Sequence, residues 1–180
     1  MRKSLIVFIL FMFMNLVSAE GTISEINDID IWWNSHGDKK DPTVLMIMGL
    51  NSNSKVWSDK YINDLVEEGF NVIVYDNRDI GKSTWITQEP SFISFIKVLP
   101  TFLIEYFVNF IFDFIFDEEG KFNMENPAPA EYNLSDMSKD GVSLLDHLGK
   151  SDAHIIGASM GGMIAQVMAI EHPERVKSLT

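Results

Sequence analysis

No cysteine occurs among the 180 residues, so disulfides, thiol catalysis and thiolate metal sites are all excluded. Basic residues are scarce as well. Fourteen Lys and Arg face 26 Asp and Glu, a formal net charge of −12. Such a surface repels phosphate backbones and anionic lipids, which argues against a nucleic-acid partner. Histidine, the usual proton carrier of hydrolytic sites, is limited to His36, His147, His154 and His172. No apolar run reaches the roughly 20 residues that a membrane-crossing helix needs. Hydrophobic residues make up 46% and charged residues 22% of the chain, a globular composition with length for one core.

The first residues have the layout of a secretory signal. Arg2 and Lys3 form a basic start, Leu5 to Val17 an apolar stretch, and Val17-Ser18-Ala19 a small-residue cleavage pattern. Residues 1–19 are therefore expected to be removed on export to the periplasm or the extracellular space, leaving Glu20 as the mature start. A retained membrane anchor over residues 5–17 is the alternative. After cleavage 12 basic residues face the same 26 acidic ones, a formal charge of −14.

Beyond Glu20 the pattern alternates between strand and helix, which predicts an α/β architecture with a mostly parallel, doubly wound sheet. "TISEINDIDIWW" reads as two strands around an Asn27-Asp28 turn. "TVLMIMG" and "FNVIVYD" are continuous apolar runs of the kind buried on both faces. Between them "SKVWSDKYINDLVEEG" reads as a helix capped by Ser54 and ended by Gly69, with Trp57, Tyr61, Ile62, Leu65 and Val66 as its apolar positions. "NLSDMSKDGVSLLDHLG" gives a second helix with Met137, Gly141, Leu145 and Leu148 on one face. "AHIIG" is a third core strand, "MGGMIAQVMAIEHPERV" a helix ended near Pro173, and "VKSLT" the start of another strand. The domain, residues 20–180, is accordingly expected to be the N-terminal part of a larger fold.

Gly157-Ala158-Ser159-Met160-Gly161 fits the pattern G-x-S-x-G in the context of strand, sharp turn and helix. Such a turn holds its serine in a strained conformation, and close backbone approach requires glycine two positions to either side. The hydroxyl then stands at a helix N-terminus, where the dipole and free N–H groups favour negative charge. Ser159 is the candidate nucleophile on this reading, with Gly157 and Gly161 as its elbow.

Four blocks, "VLMIMGLNSNSKVW", "VIVYDNRDIGKST", "YNLSDMSKDGVSLLDHLG" and "AHIIGASMGGMIAQVMAIEHPERVKSLT", occur in the order and spacing of the α/β-hydrolase superfamily. The sequence resembles that family over nearly all of residues 21–180, and most closely its bacterial carboxylesterase branch, which includes aclacinomycin methylesterase. The resemblance implies an α/β-hydrolase fold and a serine hydrolase acting on a small-molecule ester. Met48-Gly49-Leu50 stands where many relatives have His-Gly-x, which implies that the backbone N–H groups of Leu50 and Met160 form the oxyanion hole. Residues 76–83 match the loop D-x-R-G-x-G-x-S with Asp79 in place of its first glycine, and Asp76 and Arg78 are expected to brace loops. In this family the catalytic acid and histidine follow the serine, on strands beyond Thr180. No metal or organic cofactor is implied. The same scaffold also leaves open perhydrolysis, lactone opening or C–C bond hydrolysis, and a non-catalytic form without a working triad. Epoxide hydrolysis and dehalogenation are disfavoured, because those relatives need Asp where Ser159 stands.

Between Pro90 and Pro129 lies an insertion crowded with Phe, Ile and Leu, in which Lys97, Thr101, Glu105, Asn109 and Asp113 recur every four residues. That spacing predicts a helix with a polar stripe and a broad apolar face. The polar stripe disfavours a membrane span. The apolar face either packs on the rest of the domain or forms a lid, through which residues 93–116 would contact acyl chains or a lipid surface.

Overall fold

A computed structural model of the chain describes residues 21–87 and 130–180. Signal segment 1–19, the alternative anchor over residues 5–17 and the insertion over residues 90–129 all lie outside those residues. Two compact units divide the chain, one running up to Thr84 and resuming at Leu134–Thr180, the other spanning Trp85–Asn133. The sheet and its helices belong to the first unit.

Six strands form one sheet: β1 (Thr22–Ile26), β2 (Ile29–His36), β3 (Thr43–Ile47), β4 (Asn71–Tyr75), β5 (Ala153–Gly157) and β6 (Val176–Leu179), in the order β1-β2-β4-β3-β5-β6. β1 and β2 are antiparallel to their neighbours, and β4, β3, β5 and β6 run parallel. Asn27 and Asp28 join β1 to β2 with φ of 51° and 66°. Two successive left-handed residues match the twist of a two-residue hairpin, and Asn and Asp tolerate that conformation better than other side chains.

β3 and β4 are buried at every position, as their unbroken apolar runs predict. Alternation then sends successive side chains to opposite faces. Val44, Met46, Val72 and Val74 pack with Trp32 under Ile62 of α1 (Asp59–Glu67). On the other face Leu45 and Tyr75 approach Gly141 of α2 (Leu134–His147), beside Met168 of α3 (Met160–Glu171). A Cβ at Gly141 would stand 3.4 Å from the Tyr75 hydroxyl and 3.5 Å from Leu45 Cδ2, so α2 lies within van der Waals reach of the sheet.

The first helix departs from its predicted start. Ser54 begins only a single 3-10 turn, Ser54–Val56, and α1 starts later, with the Ser58 hydroxyl accepting from the Tyr61 N–H at 3.2 Å. Ser54 is diverted because its N–H and hydroxyl both donate to Asp76 Oδ1, each at 2.8 Å. A carboxylate buried at the end of β4 outcompetes the helix terminus for the serine.

The loop after β4 is pinned to α2 by a buried ion pair. Arg78 Nε and Nη2 donate to the two oxygens of Asp140, both at 2.7 Å, and Asn27 Nδ2 adds a third donor at 2.8 Å. This fork joins three segments remote in sequence, namely the β1–β2 turn, the β4 loop and α2. Replacing Asp140 with Ala removes the buried carboxylate that takes two Arg78 donors and the Asn27 amide, so denaturant unfolding of Asp140→Ala should show a loss of about 3–5 kcal/mol. A loss below about 1 kcal/mol would contradict a structural role for this ion pair.

Candidate active site

The sheet order places a switch point between β3 and β5. From β3 the chain passes through α1 to β4 on one side, whereas β5 joins β3 on the other. Loops leaving adjacent parallel strands in opposite directions open a crevice at their carboxyl ends, where α/β proteins bind ligands. Ile47 pairs with Gly157 at that edge, so Met48-Gly49-Leu50 and Ala158-Ser159-Met160 emerge side by side.

Ser159 has φ 55° and ψ −123° and immediately precedes α3. A non-glycine residue is rarely held there, and such strain persists only where the surroundings enforce it. Here they do. Ala158 N–H donates to the Ile47 carbonyl at 3.0 Å, carrying the β3–β5 ladder one residue past the strand, and Gly161 N–H turns back to the Ala158 carbonyl at 2.9 Å. A Cβ on Gly157 would lie 2.5 Å from the Gly161 carbonyl oxygen, and one on Gly161 would collide with the Ile47 carbonyl. Glycine at both positions is therefore demanded by backbone packing. The Ser159 side chain makes no capping hydrogen bond and is exposed at the positive end of α3.

The loop after β3 sits against this turn. A Cβ on Gly49 would stand 2.9 Å from the Ala158 carbonyl oxygen, 3.0 Å from Ser159 Cβ and 3.4 Å from the Met160 nitrogen. A side chain at position 49 would therefore push the loop after β3 away from the elbow. Leu50 itself points outward, 66% exposed. Gly49 and the elbow thus lie in close backbone contact, with Leu50 next in the chain after Gly49 and Met160 next after Ser159.

Met48, which stands in the histidine position of the motif, has its carbonyl bonded by Asn77 Nδ2 at 2.8 Å. Asp76 accepts from Ser54 as above and from the Lys82 N–H at 3.2 Å, and its own carbonyl accepts from Ser83 Oγ at 2.6 Å. Asp79 adopts φ 61°, the left-handed conformation that explains a glycine in the motif and that Asp is among the few side chains to accept. Sequence reasoning assigned bracing to Asp76 and Arg78 but missed Asn77 and Asp140. The available signal was a polar pair adjoining a buried strand and an acid on the apolar face of α2.

None of the four histidines stands near Ser159. His154 is the second residue of β5, five residues and roughly 15 Å before the serine, and shares a 2.8 Å hydrogen bond with Ser178 while its ring meets Phe70 edge-on. His172 follows α3 at its far end, roughly 18 Å along the helix axis. His36 pairs with Val72 at the opposite end of β4, and burial lowers its pKa below the ordinary value, partly opposed by Asp59. His147 packs edge-on against Trp33 of β2, three strands away from β5 and so roughly 14 Å across the sheet. Among the described residues no group of His, Asp and Glu is arranged to hold a metal ion.

Two consecutive glycines in the first turn of α3, Gly161 and Gly162, are separable by experiment. Gly161→Ala should cost about 3 kcal/mol or more in denaturant unfolding, because the colliding partner is backbone. At Gly162 a Cβ meets nothing closer than 3.4 Å, so Gly162→Ala should leave stability equal or raised by up to about 1 kcal/mol. Equal effects at the two positions would contradict this packing.

The family model of the alpha/beta hydrolase fold matches residues 42–180. Rhodomycin D methylesterase DnrP of Streptomyces peucetius is 27% identical over 154 residues, which cover 86% of this chain and 39% of that protein. A 2-hydroxymuconate semialdehyde hydrolase of Pseudomonas sp. strain CF600 is 46% identical over a shorter stretch of 55 residues, 31% of this chain and 19% of its own. Among solved structures, epoxide hydrolase A from Mycobacterium thermoresistibile superposes with a TM-score of 0.59 at 21% identity, over 87% of this chain and 36% of that one. The chain spans about two fifths of the length of the methylesterases it matches. With the family model covering the sheet from β3 to β6, the site between β3 and β5 and the helices around it, the chain belongs to the α/β-hydrolase family.

Proposed function

We propose that this chain carries the nucleophile and the oxyanion hole of a serine hydrolase for carboxylic esters. The observation that carries the reading is the enforced backbone of Ser159, φ 55° and ψ −123°, which presents the hydroxyl at the start of α3 and at the switch point of the sheet. The methylesterases among the relatives support an ester as substrate.

In the proposed reaction Ser159 Oγ attacks the ester carbonyl carbon while a general base takes its proton. The developing oxyanion is held by the N–H groups of Leu50 and Met160 and by the dipole of α3. Collapse of the tetrahedral intermediate expels the alcohol, which takes up the proton, and leaves the acyl group on Ser159. Water, deprotonated by the same base, attacks this acyl-enzyme and releases the acid. Because both oxyanion donors are backbone groups, methionine at position 48 does not remove them. Each such donor contributes about 3–4 kcal/mol to lowering the barrier.

The four histidines lie away from Ser159, so the reading assigns the base and its orienting carboxylate to polypeptide outside this chain, in the family order of serine, acid, histidine. In the full protein that carries this chain, Ser159→Ala should abolish labelling by a serine-directed fluorophosphonate while leaving the unfolding transition unchanged. Labelling of Ser159→Ala at the parent level would sink the assignment.

A further inference from the structure

The loop that carries Leu50 has little internal support. Ser52 N–H reaches the Gly49 carbonyl only at 3.3 Å, and Ser52 Oγ reaches the Leu50 carbonyl at the same length, both beyond the usual hydrogen-bond range. Asn51 is left-handed at φ 54°, and Gly49 has no side chain to restrict it. Yet the direction of the Leu50 N–H depends on the Gly49–Leu50 peptide. In a trans peptide the carbonyl and the N–H point opposite ways, so any rotation that moves the Gly49 carbonyl swings the Leu50 donor with it.

The fixed points lie outside the loop, on two consecutive residues at the end of β4. Asn77, 2% exposed, donates from Nδ2 to the Met48 carbonyl at 2.8 Å, which anchors the peptide just before Gly49. Asp76, 4% exposed, takes both donors of Ser54 at 2.8 Å and anchors the far end. Met48 is also hemmed in from the elbow side, where a Cβ on Gly161 would lie 2.9 Å from its carbonyl oxygen. The Met48 carbonyl is thus caught between Asn77 and the first turn of α3, with the oxyanion loop hanging from it.

We propose that Asn77 is a positioning residue: with Asp76 it clamps both ends of the 48–54 loop, so that the Leu50 N–H is aimed at the oxyanion before substrate arrives. The inference rests on Leu50 as an oxyanion donor. It assigns to Asn77 the support for the loop where this chain has methionine in place of the motif's histidine. A donor set in advance costs no reorganisation in the transition state, so losing the anchor slows the chemical step and leaves ground-state binding alone.

The test is steady-state kinetics of the full protein with a soluble short-chain ester. Asn77→Ala should lower kcat about tenfold or more with KM unchanged to within about twofold, the pattern of an interaction used only in the transition state. Asn77→Asp keeps the shape and supplies a donor only when protonated. Its kcat relative to the parent should therefore rise as pH falls, which a packing role would not produce. It also serves as the readout if Asn77→Ala does not fold. Parent-like kcat in both variants, a parallel rise of KM, or a pH-independent ratio for Asn77→Asp would overturn the proposal while leaving Ser159 as nucleophile intact. A parent without turnover, or turnover that survives Ser159→Ala, would overturn the serine reading and the role of Asn77 with it.

Discussion

The backbone contact between β3 and the first turn of α3 is the constraint on which the rest of the site depends. Gly161 lies so close to the Ile47 carbonyl that no side chain fits, and Gly157 lies equally close to Gly161. These contacts leave one route from β5 into α3, and that route takes Ser159 through a conformation few serines adopt. The strain is sustained because both partners are central: β3 is buried at all five positions, and α3 is held by Ile164, Ala165 and Met168 in the core. Exposure of the serine, its place at the helix terminus and the nearness of Gly49 all follow from this one approach.

β4 supplies the complementary support. Asp76, Asn77 and Arg78, three residues in a row after a fully buried strand, each bind a different segment: the Ser54 turn, the Met48 carbonyl and Asp140 on α2. All three are buried, so their polar atoms must be bonded, and those bonds fix the loops around the crevice without occupying it. The division is physical as well as spatial. The elbow is shaped by what cannot fit, whereas the loop after β3 is held at its ends by what is bonded.

Much of this was legible in the sequence. Apolar runs such as "TVLMI" and "NVIVY" declare strands buried on both faces, and the Asn27-Asp28 pair declares a hairpin, because each pattern has few physical alternatives. Gly157, Ser159 and Gly161 are readable as a turn because two glycines at fixed spacing answer a local steric demand. What was not legible is long-range. Ser54 looks like a helix cap until Asp76 is seen to claim it, and Arg78 has no visible partner until α2 brings Asp140 beside it, 62 residues further on. Asn77 shows in the sequence only as a polar residue adjoining a buried strand, and its partner depends on which carbonyl the neighbouring strand presents.

The central claim is that Ser159 bears the acyl group. It is tested most directly by quenching the full protein in acid during turnover of an activated ester and mapping the adduct by mass spectrometry. Cleavage at Lys150 and Arg175 isolates residues 151–175 as one peptide. The account predicts an acyl mass increment on that peptide, at Ser159 and absent from Ser159→Ala. Turnover with the increment on another peptide, or at Ser151, would contradict it.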